Sequence, residues 1–338
     1  MGGSRVAVFS LGGTIAMTGD GRGGVVPALN AADLVAAVPG LADIEVDLQV
    51  HDFRKLPGAS LSFDDLYALV SAARQAVTDG ADGVVVTQGT DTIEETAFTF
   101  DLLWPLDAPL VVTGAMRNPT LAGADGPANL LSAIRVAAAP NTRQLGCVVV
   151  LNDEIHAARW VRKTHTTSTA AFRSPDTGPI GLIAESLPRV LSRPVRRSVH
   201  VDLVPKVPVR TAVLPVVLGL DEQAVRGIAT SLDGLVVAGF GVGHVPANIV
   251  DALTELAADV PVVLASRIGS GPVLAQTYGF PGSESDLLGR GLISAGSLDG
   301  YKSRTLLHLL LAAGHNRADI GKAFEVYATY TAPTGETE

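Results

Sequence analysis

Residues 84–98 read VVVTQGTDTIEETAF, an apolar run that ends abruptly in a cluster of hydroxyl, amide and carboxylate side chains. The three valines are β-branched and typical of a buried strand. In the segment that follows, Thr87–Thr92, only Gly89 lacks a polar side chain. Ligands of doubly wound folds bind outside the carboxyl ends of the strands. The stretch therefore predicts a buried strand that delivers functional side chains to one edge of a sheet.

Similar apolar runs alternate with helical patterns through the first half of the chain. The predicted strands are 5–11, 46–53, 83–88, 109–115 and 146–152. A helix is predicted over 62–80, with Ser62 as its cap and Gly80 at its end, and another over 126–139. Alternation of strands and helices predicts right-handed crossovers and a parallel sheet with helices on both faces.

A proline- and arginine-rich stretch at about 187–212 shows no helical period, and a second series of strands and helices follows it. The strands of this series are predicted at 211–219, 232–241 and 261–267, and the helices at about 221–231, 246–259, 302–313 and 316–328. The expected architecture is α/β. It comprises a larger N-terminal parallel-sheet domain over 1–190, a linker over 191–211 and a smaller C-terminal α/β domain over 212–338.

Composition limits the classes of protein to which the chain can belong. It has 338 residues, of which 47% are hydrophobic and 17% charged, as in a compact globular enzyme. Its formal net charge of -9 argues against sequence-independent binding to nucleic acid or to an anionic membrane surface. No apolar run approaches the ~20 residues of a membrane helix, and the N-terminus is a poor signal peptide. We therefore expect a soluble cytoplasmic protein.

Two threonines occupy equivalent places after predicted strands. Thr14 follows the first strand across Gly12 and Gly13, and Thr90 follows the third across Gly89. Glycine permits a sharp turn and leaves room beside each hydroxyl, so both threonines are candidate site residues. Alternatively, Asp91 or Thr92 caps a helix and Glu94 or Glu95 completes a capping box.

Lys163 lies in RWVRKTHTTST (159–169), which has five hydroxyl residues. A hydroxyl nucleophile needs a base, and a lysine beside a carboxylate can serve. The alternative is an exposed cationic turn. The sequence has no G-x-S-x-G elbow and no Walker A motif, and its seven histidines are scattered. We therefore expect neither a metal nor a cofactor.

At this point the chain resembles the bacterial-type L-asparaginase family. The resemblance is carried by SLGGTIAM (10–17), VTQGTDTIEETAF (86–98), VTGAMRNPTLAGADGPANL (112–130), VLNDEI (150–155), VRKTHTT (161–167), VVAGFGVGHVPANIVDAL (236–253) and TYGFPGSESDLLGRGLISAG (277–296). It thus runs through almost the whole chain. It implies a flavodoxin-like N-terminal sheet and hydrolysis of asparagine to aspartate and ammonia, with glutamine as a possible second substrate.

The resemblance also implies roles for particular residues. Thr14 matches the nucleophile that forms the acyl-threonine intermediate, and Thr90, Asp91 and Lys163 match the second catalytic group. In the family, that group activates the attacking water or the threonine, and its aspartate holds the substrate α-amino group. The family further implies tetramers built from intimate dimers, in which a neighbouring subunit completes each site.

Four departures from the best-known members affect this assignment. The loop over 17–29 has no tyrosine to activate Thr14. Gly58-Ala59 stands where a Ser-Gln pair usually binds the substrate carboxylate, so backbone N–H groups or Ser60 would take over. The other two departures concern residues contributed by the neighbouring subunit.

His244 stands in place of the neighbour's asparagine. The neighbour's glutamate falls near Tyr278 or Glu284, and the resemblance does not decide between them. Tyr278 is also a candidate base for Thr14, unless it merely packs over the GFPG turn. Two alternatives to an asparaginase remain open, namely an amino-acid sensor that has lost catalysis and an ammonia-releasing amidotransferase subunit.

Overall fold

The computed structural model describes residues 3–13, 17–19, 25–27, 31–194, 199–201, 205 and 207–328. The chain divides into two compact units, residues 1–203 and 204–338. The division falls inside the stretch expected to be a linker, whose bounds of 191–211 stay a prediction. Each unit contains its own sheet and its own apolar core.

An eight-stranded sheet forms the centre of the N-terminal unit, in the order β12-β11-β8-β7-β6-β5-β1-β4. Its strands are β1 (Ser4–Ser10), β4 (Val46–Asp52), β5 (Gly83–Thr87), β6 (Leu110–Thr113), β7 (Cys147–Leu151), β8 (Glu154–Ala157), β11 (Gly181–Ala184) and β12 (Leu187–Val190). The five strands expected from the sequence are β1, β4, β5, β6 and β7, and they pair with one another in parallel.

Three further strands, β8, β11 and β12, extend this sheet through antiparallel pairs, so the sheet is mixed. They were not predicted because each has only four residues and shows no clear alternation of apolar and polar side chains. Two short antiparallel pairs lie outside the sheet. They are β2 (Met17–Gly19) with β3 (Val25–Pro27), and β9 (Arg162–Lys163) with β10 (Phe172–Arg173).

Helices cover both faces of the large sheet. They are α1 (Ala31–Ala36), α2 (Phe63–Thr78), α3 (Ile93–Leu103) and α4 (Gly126–Ala138). α2 begins at Ser62, whose hydroxyl and backbone form a reciprocal capping box with Asp65. α4 packs on Val85, Val111 and other residues of one face. The alternate valines on the opposite face are also buried, beneath α2 and α3.

The C-terminal unit is built on a four-stranded parallel sheet, in the order β13-β14-β15-β16. Its strands are β13 (Thr211–Pro215), β14 (Gly234–Gly239), β15 (Val262–Ser266) and β16 (Ile293–Ser294). Its helices are α5 (Glu222–Ala229), α6 (Val250–Asp259), α7 (Glu284–Gly289), α8 (Gly300–Ala312) and α9 (Arg317–Ala328). The α/β class with a larger and a smaller domain is confirmed. Within the described residues, no helix has the length and apolar character needed to cross a membrane.

Candidate active site

The carboxyl ends of the central strands lie in register at one edge of the large sheet. Ser10 of β1 pairs with Thr87 of β5, and Thr87 pairs with Thr113 of β6. The segments that leave β1 and β5 are therefore neighbours from the point where they emerge. The register brings together the two Gly-Thr segments that the sequence singled out.

Three glycines allow the backbones at this edge to approach one another closely. Gly13 has a φ of 91°, and a Cβ on it would overlap the backbone of Gly89. A Cβ on Gly58 would lie 2.8 Å from the carbonyl oxygen of Gly89. The residues before Thr14 and Thr90 and the Gly58 turn are thus in direct contact. Thr14 itself lies outside the described residues.

Lys163 joins the two polar residues that follow Gly89. Its Nζ lies 2.9 Å from Thr90 Oγ1 and 2.9 Å from Asp91 Oδ1. Thr90 is buried, whereas the Asp91 side chain is 66% exposed. One ammonium group therefore links a buried hydroxyl to a carboxylate that solvent and solutes can reach, so Lys163 is not an isolated exposed cation.

Sequence analysis did not identify the group that holds the backbone of Lys163. Glu94 Oε2 accepts a hydrogen bond from the Lys163 backbone N–H at 3.3 Å. The capping box suggested for this segment is wrong, because Thr92 occupies the N-cap of α3 without a side-chain cap. Its hydroxyl instead donates to the carbonyl oxygen of Gly58 at 3.0 Å. The polar side chains after β5 thus join neighbouring segments rather than cap their own helix.

An open pocket of about 430 Å³ lies over Asp91 and Lys163. Thr164, His165 and Thr166 also line it. His165 Nδ1 accepts hydrogen bonds from the backbone N–H groups of Thr167 and Ser168, both at 3.0 Å. Sequence analysis did not assign these three wall residues to the site, although their position directly after Lys163 was the available signal.

Not every hydrogen-bond donor of the Gly58–Ser60 turn is available to hold a substrate carboxylate. It is a single 3-10 turn in which Gly58 is buried and both Ala59 and Ser60 are exposed. The Ser60 backbone N–H donates to the carbonyl oxygen of Pro57 at 2.9 Å. Among the Ser60 donors, the hydroxyl is therefore a better candidate for a ligand than the backbone amide.

The remaining predicted residues form a cluster within the C-terminal unit. His244 Nε2 lies 3.2 Å from Glu284 Oε2. The backbone N–H groups of Thr277 and Tyr278 donate to Glu284 Oε1 at 3.0 Å and 2.8 Å. The Tyr278 ring packs edge-on against the His244 ring, with 4.8 Å between the ring centroids. The Phe280 ring centroid lies 5.0 Å from that of His244. Tyr278, His244 and Glu284 thus form one polar and aromatic group.

Glu284 is a fully buried carboxylate that stays ionised because its neighbours compensate for burial. Burial alone would raise the pKa of Glu284. The backbone amides of Tyr278, Glu284 and Thr277 and the His244 ring outweigh burial by hydrogen bonding to the carboxylate, and the pKa falls below its ordinary value. Tyr278 remains 43% exposed beside it. A negative charge is therefore held beneath a partly exposed phenol.

The described residues contain no group of three or more histidine, cysteine, aspartate or glutamate side chains that could hold a metal ion. The Lys163 cluster itself offers a hydroxyl, an ammonium and a carboxylate group. This donor set suits nucleophilic attack and proton transfer.

Two family models match the chain and together cover most of it. Residues 5–196 match "Asparaginase, N-terminal", and residues 210–324 match "Glutaminase/Asparaginase C-terminal domain". The two matches follow the two compact units of the fold.

Curated and solved relatives are similar over nearly the full length. A probable L-asparaginase from Deinococcus radiodurans is 36% identical over 330 residues, covering 95% of this chain and 97% of the relative. A glutaminase-asparaginase from Pseudomonas aeruginosa is 30% identical, covering 96% of this chain and 91% of the relative. The crystal structure of a probable cytoplasmic L-asparaginase from Campylobacter jejuni superposes with a TM-score of 0.84 at 31% identity, covering 95% of this chain and 99% of that one.

Proposed function

The chain belongs to the asparaginase family of amidohydrolases, and from that premise we propose that it hydrolyses L-asparagine to L-aspartate and ammonia. The observation that carries this proposal is the Lys163 ammonium, which lies 2.9 Å from both Thr90 Oγ1 and Asp91 Oδ1 at the floor of an open pocket. Such a group can position water and bind a charged substrate in one place.

The proposed reaction proceeds in two stages through an acyl-threonine intermediate. Thr14 Oγ attacks the side-chain amide carbon, its proton passes through a base to the amide nitrogen, and ammonia leaves. Water then attacks the ester carbon and gives up a proton, the bond to Thr14 breaks, the proton returns to Thr14 Oγ, and aspartate is released. In this scheme Thr90 and Lys163 activate the water, while Asp91 holds the substrate α-ammonium group.

The substrate carboxylate would bind at the Gly58–Ser60 turn. Donors there are backbone N–H groups of Gly58 and Ala59 and the hydroxyl of Ser60. Contact between Gly58 and Gly89 supports this role, since it sets the turn beside the segment that carries Thr90 and Asp91. In a neighbouring subunit, Tyr278, His244 and Glu284 would complete the site.

Ammonia release from purified protein tests the proposal directly. We expect release from L-asparagine, weaker release from L-glutamine and little from D-asparagine. A glutaminase side activity is favoured by the similarity to relatives named glutaminase-asparaginase. Binding of L-asparagine without any ammonia release would favour the sensor alternative, for which the Gly58-Ala59 replacement is the supporting observation.

Thr14→Ala is expected to abolish turnover and to leave the fold intact. Loss of an activated nucleophile typically costs several orders of magnitude in rate. Ammonia release and circular dichroism of the purified variant check both parts. A variant that keeps more than about a tenth of the wild-type kcat would remove Thr14 from the mechanism.

We also propose a cytoplasmic location. The Campylobacter jejuni relative is described as cytoplasmic, whereas a Haemophilus influenzae relative that is 33% identical is named as periplasmic. Cell fractionation followed by immunoblotting distinguishes the two compartments.

A further inference from the structure

Lys163 is carried by a hairpin that contributes little stability of its own. β9 and β10 have two residues each and, among the described strands, they pair only with each other. A two-stranded hairpin is at best marginally stable in water. The position of Lys163 Nζ therefore depends on what holds the two arms of the hairpin against the rest of the unit.

Glu94 holds the first arm. Its Oε2 accepts the hydrogen bond from the Lys163 backbone N–H at 3.3 Å and lies 4.0 Å from Arg162 Nε. The Glu94 side chain is only 10% exposed and sits in the first turn of α3. The turn that carries Thr90 and Asp91 runs directly into this helix. Glu94 therefore ties β9 to the segment with which Lys163 must align.

His156 holds the second arm. Its Nδ1 lies 3.0 Å from the hydroxyl oxygen of Ser174, the residue directly after β10. His156 belongs to β8 of the large sheet and is 1% exposed, and Ser174 is 5% exposed. Phe172 of β10 pairs with Lys163 across the hairpin. The buried bond therefore connects the partner strand of Lys163 to the main sheet.

The hydrogen bond between His156 and Ser174 does not depend on a charged ring. Burial lowers the pKa of His156. The Glu154 carboxylate opposes this shift, and the nearby Arg173 adds to it. His156 Nε2 lies 3.2 Å from Glu154 Oε2. In the neutral ring, Nδ1 can either donate a hydrogen bond to the Ser174 hydroxyl or accept one from it. The bond therefore needs no charge on His156.

We propose that Glu94 and His156 are positioning residues that together set the distance between Lys163 Nζ and Thr90 Oγ1. The role in catalysis rests on the function proposed above, whereas the positioning itself does not. A displacement of about 1 Å at a reacting group can cost roughly 10²-fold in rate. Loosening either arm should therefore reduce kcat far more than it changes KM for L-asparagine.

The test combines truncating and conservative variants with matched controls. Glu94→Ala and Ser174→Ala each remove one anchor, whereas Glu94→Gln and His156→Asn keep a group at the bonding position. Glu95→Gln changes the same charge one residue along the helix. His51→Ala removes an exposed histidine from β4, the edge strand at the end of the sheet away from β8.

We expect Glu94→Ala and Ser174→Ala to lower kcat by about 10- to 100-fold with less than about a threefold change in KM. The conservative variants should recover activity to within about tenfold of wild type, and both controls should match it. In a Lys163→Met background neither truncation should lower the residual rate further, because the group that they position is gone. A further loss of the same size in that background would overturn the proposal.

Crystal structures of the variants provide a readout that does not depend on turnover. We expect the distance between Lys163 Nζ and Thr90 Oγ1 to lengthen or to become variable in Glu94→Ala and Ser174→Ala, and to stay near 2.9 Å in both controls. An unchanged distance in folded truncation variants would overturn the proposal. If Glu94→Ala does not fold, Glu94→Asp, which withdraws the carboxylate by one methylene, replaces it. Absence of ammonia release by the wild type would refute the proposed function alone.

Discussion

At the scale of single residues, the site depends on one ammonium group shared by two partners. Lys163 Nζ contacts a buried hydroxyl and an exposed carboxylate at the same distance of 2.9 Å. The exposed pair with Asp91 contributes little stability, because water screens it. Its importance is geometric, since it orients the ammonium toward Thr90. The three side chains should therefore act as a unit.

Lys163→Met and Asp91→Asn are expected to impair turnover nonadditively. Residues of one catalytic unit fail together, so the double variant should lose little more than the worse single variant. Asp91→Asn should in addition raise KM, because the charge that pairs with the substrate ammonium is removed. Steady-state kinetics of the three variants measure both effects. A double variant whose loss equals the product of the single losses would show that the residues act independently.

Tyr278→Phe tests whether the phenol supplies the base that the loop over 17–29 lacks. The substitution keeps the ring and its edge-on contact with His244 and removes only the hydroxyl. We expect kcat to fall by roughly 10²-fold, within the range for a positioned acid–base group. His244→Phe is the companion variant, because it removes the polar partner of Glu284. A decrease in kcat of less than about threefold in Tyr278→Phe would show that Tyr278 only packs. Glu284, Ser60 and water would then be the remaining candidates for the base.

At the scale of secondary structure elements, the site is assembled from turns that follow strands. Parallel register aligns the ends of β1, β5 and β6, and glycine lets the turns touch. The antiparallel additions also matter, because β8 presents the histidine that anchors the second arm of the hairpin carrying Lys163. The apolar strands thus form a shared edge, and short polar elements carry the candidate site residues.

Gly13→Ala is expected to destabilise the protein far more than Gly178→Ala. Both glycines have a positive φ, 91° and 73°, so both substitutions carry the same backbone strain of about 1–2 kcal/mol. A Cβ at 178 would meet no described residue within 4 Å, whereas one at 13 would lie 2.7 Å from the carbonyl carbon of Gln88.

We therefore expect Gly178→Ala to lower the free energy of unfolding by about 1–2 kcal/mol and Gly13→Ala by more than about 4 kcal/mol. Urea denaturation measures both changes. Similar losses for the two variants would mean that close packing of Gly13 against the segment after β5 is unimportant.

At the scale of the whole molecule, both units are α/β, and each carries a different cluster of candidate site residues. Each has a parallel core sheet, and each presents polar residues after strands or turns. The N-terminal unit contains the Lys163 cluster, and the C-terminal unit contains the Glu284 cluster. The C-terminal unit also leaves Leu218 96% exposed and Ile268 60% exposed. A second copy of the chain that covered these two side chains would remove their apolar area from water.

We expect the active form to be a dimer or tetramer of identical chains. Self-association would bury exposed apolar side chains and supply Tyr278 and Glu284 to a neighbouring site. Light scattering coupled to gel filtration, with ammonia release measured across the eluted peak, tests this. An active monomer at the concentrations of the assay would contradict both the assembly and the shared site.

Much of the fold was accessible from the sequence because its core strands are strongly apolar and β-branched. The first five predicted strands and the helices at 62–80 and 126–139 agree with the structure to within a few residues. The motifs around Thr90 and Lys163 likewise indicated the family before any contact was known. Local composition is sufficient for such features, since a buried parallel strand and a capped amphipathic helix each leave their pattern in adjacent residues.

Contacts between distant residues were decided only by the tertiary structure. Nothing in the sequence indicates that Glu94 binds the backbone of Lys163 rather than capping its own helix, or that His156 reaches Ser174. A side chain can often form several hydrogen bonds of similar energy. Which of them forms depends on the partner that the fold places within hydrogen-bond distance. The sequence by itself determined the strands, the family and the candidate groups. The packing of the sheet edge decided which of those groups meet. Hydrogen bonds act over about 3 Å, and a local sequence pattern does not tell which distant residues lie that close.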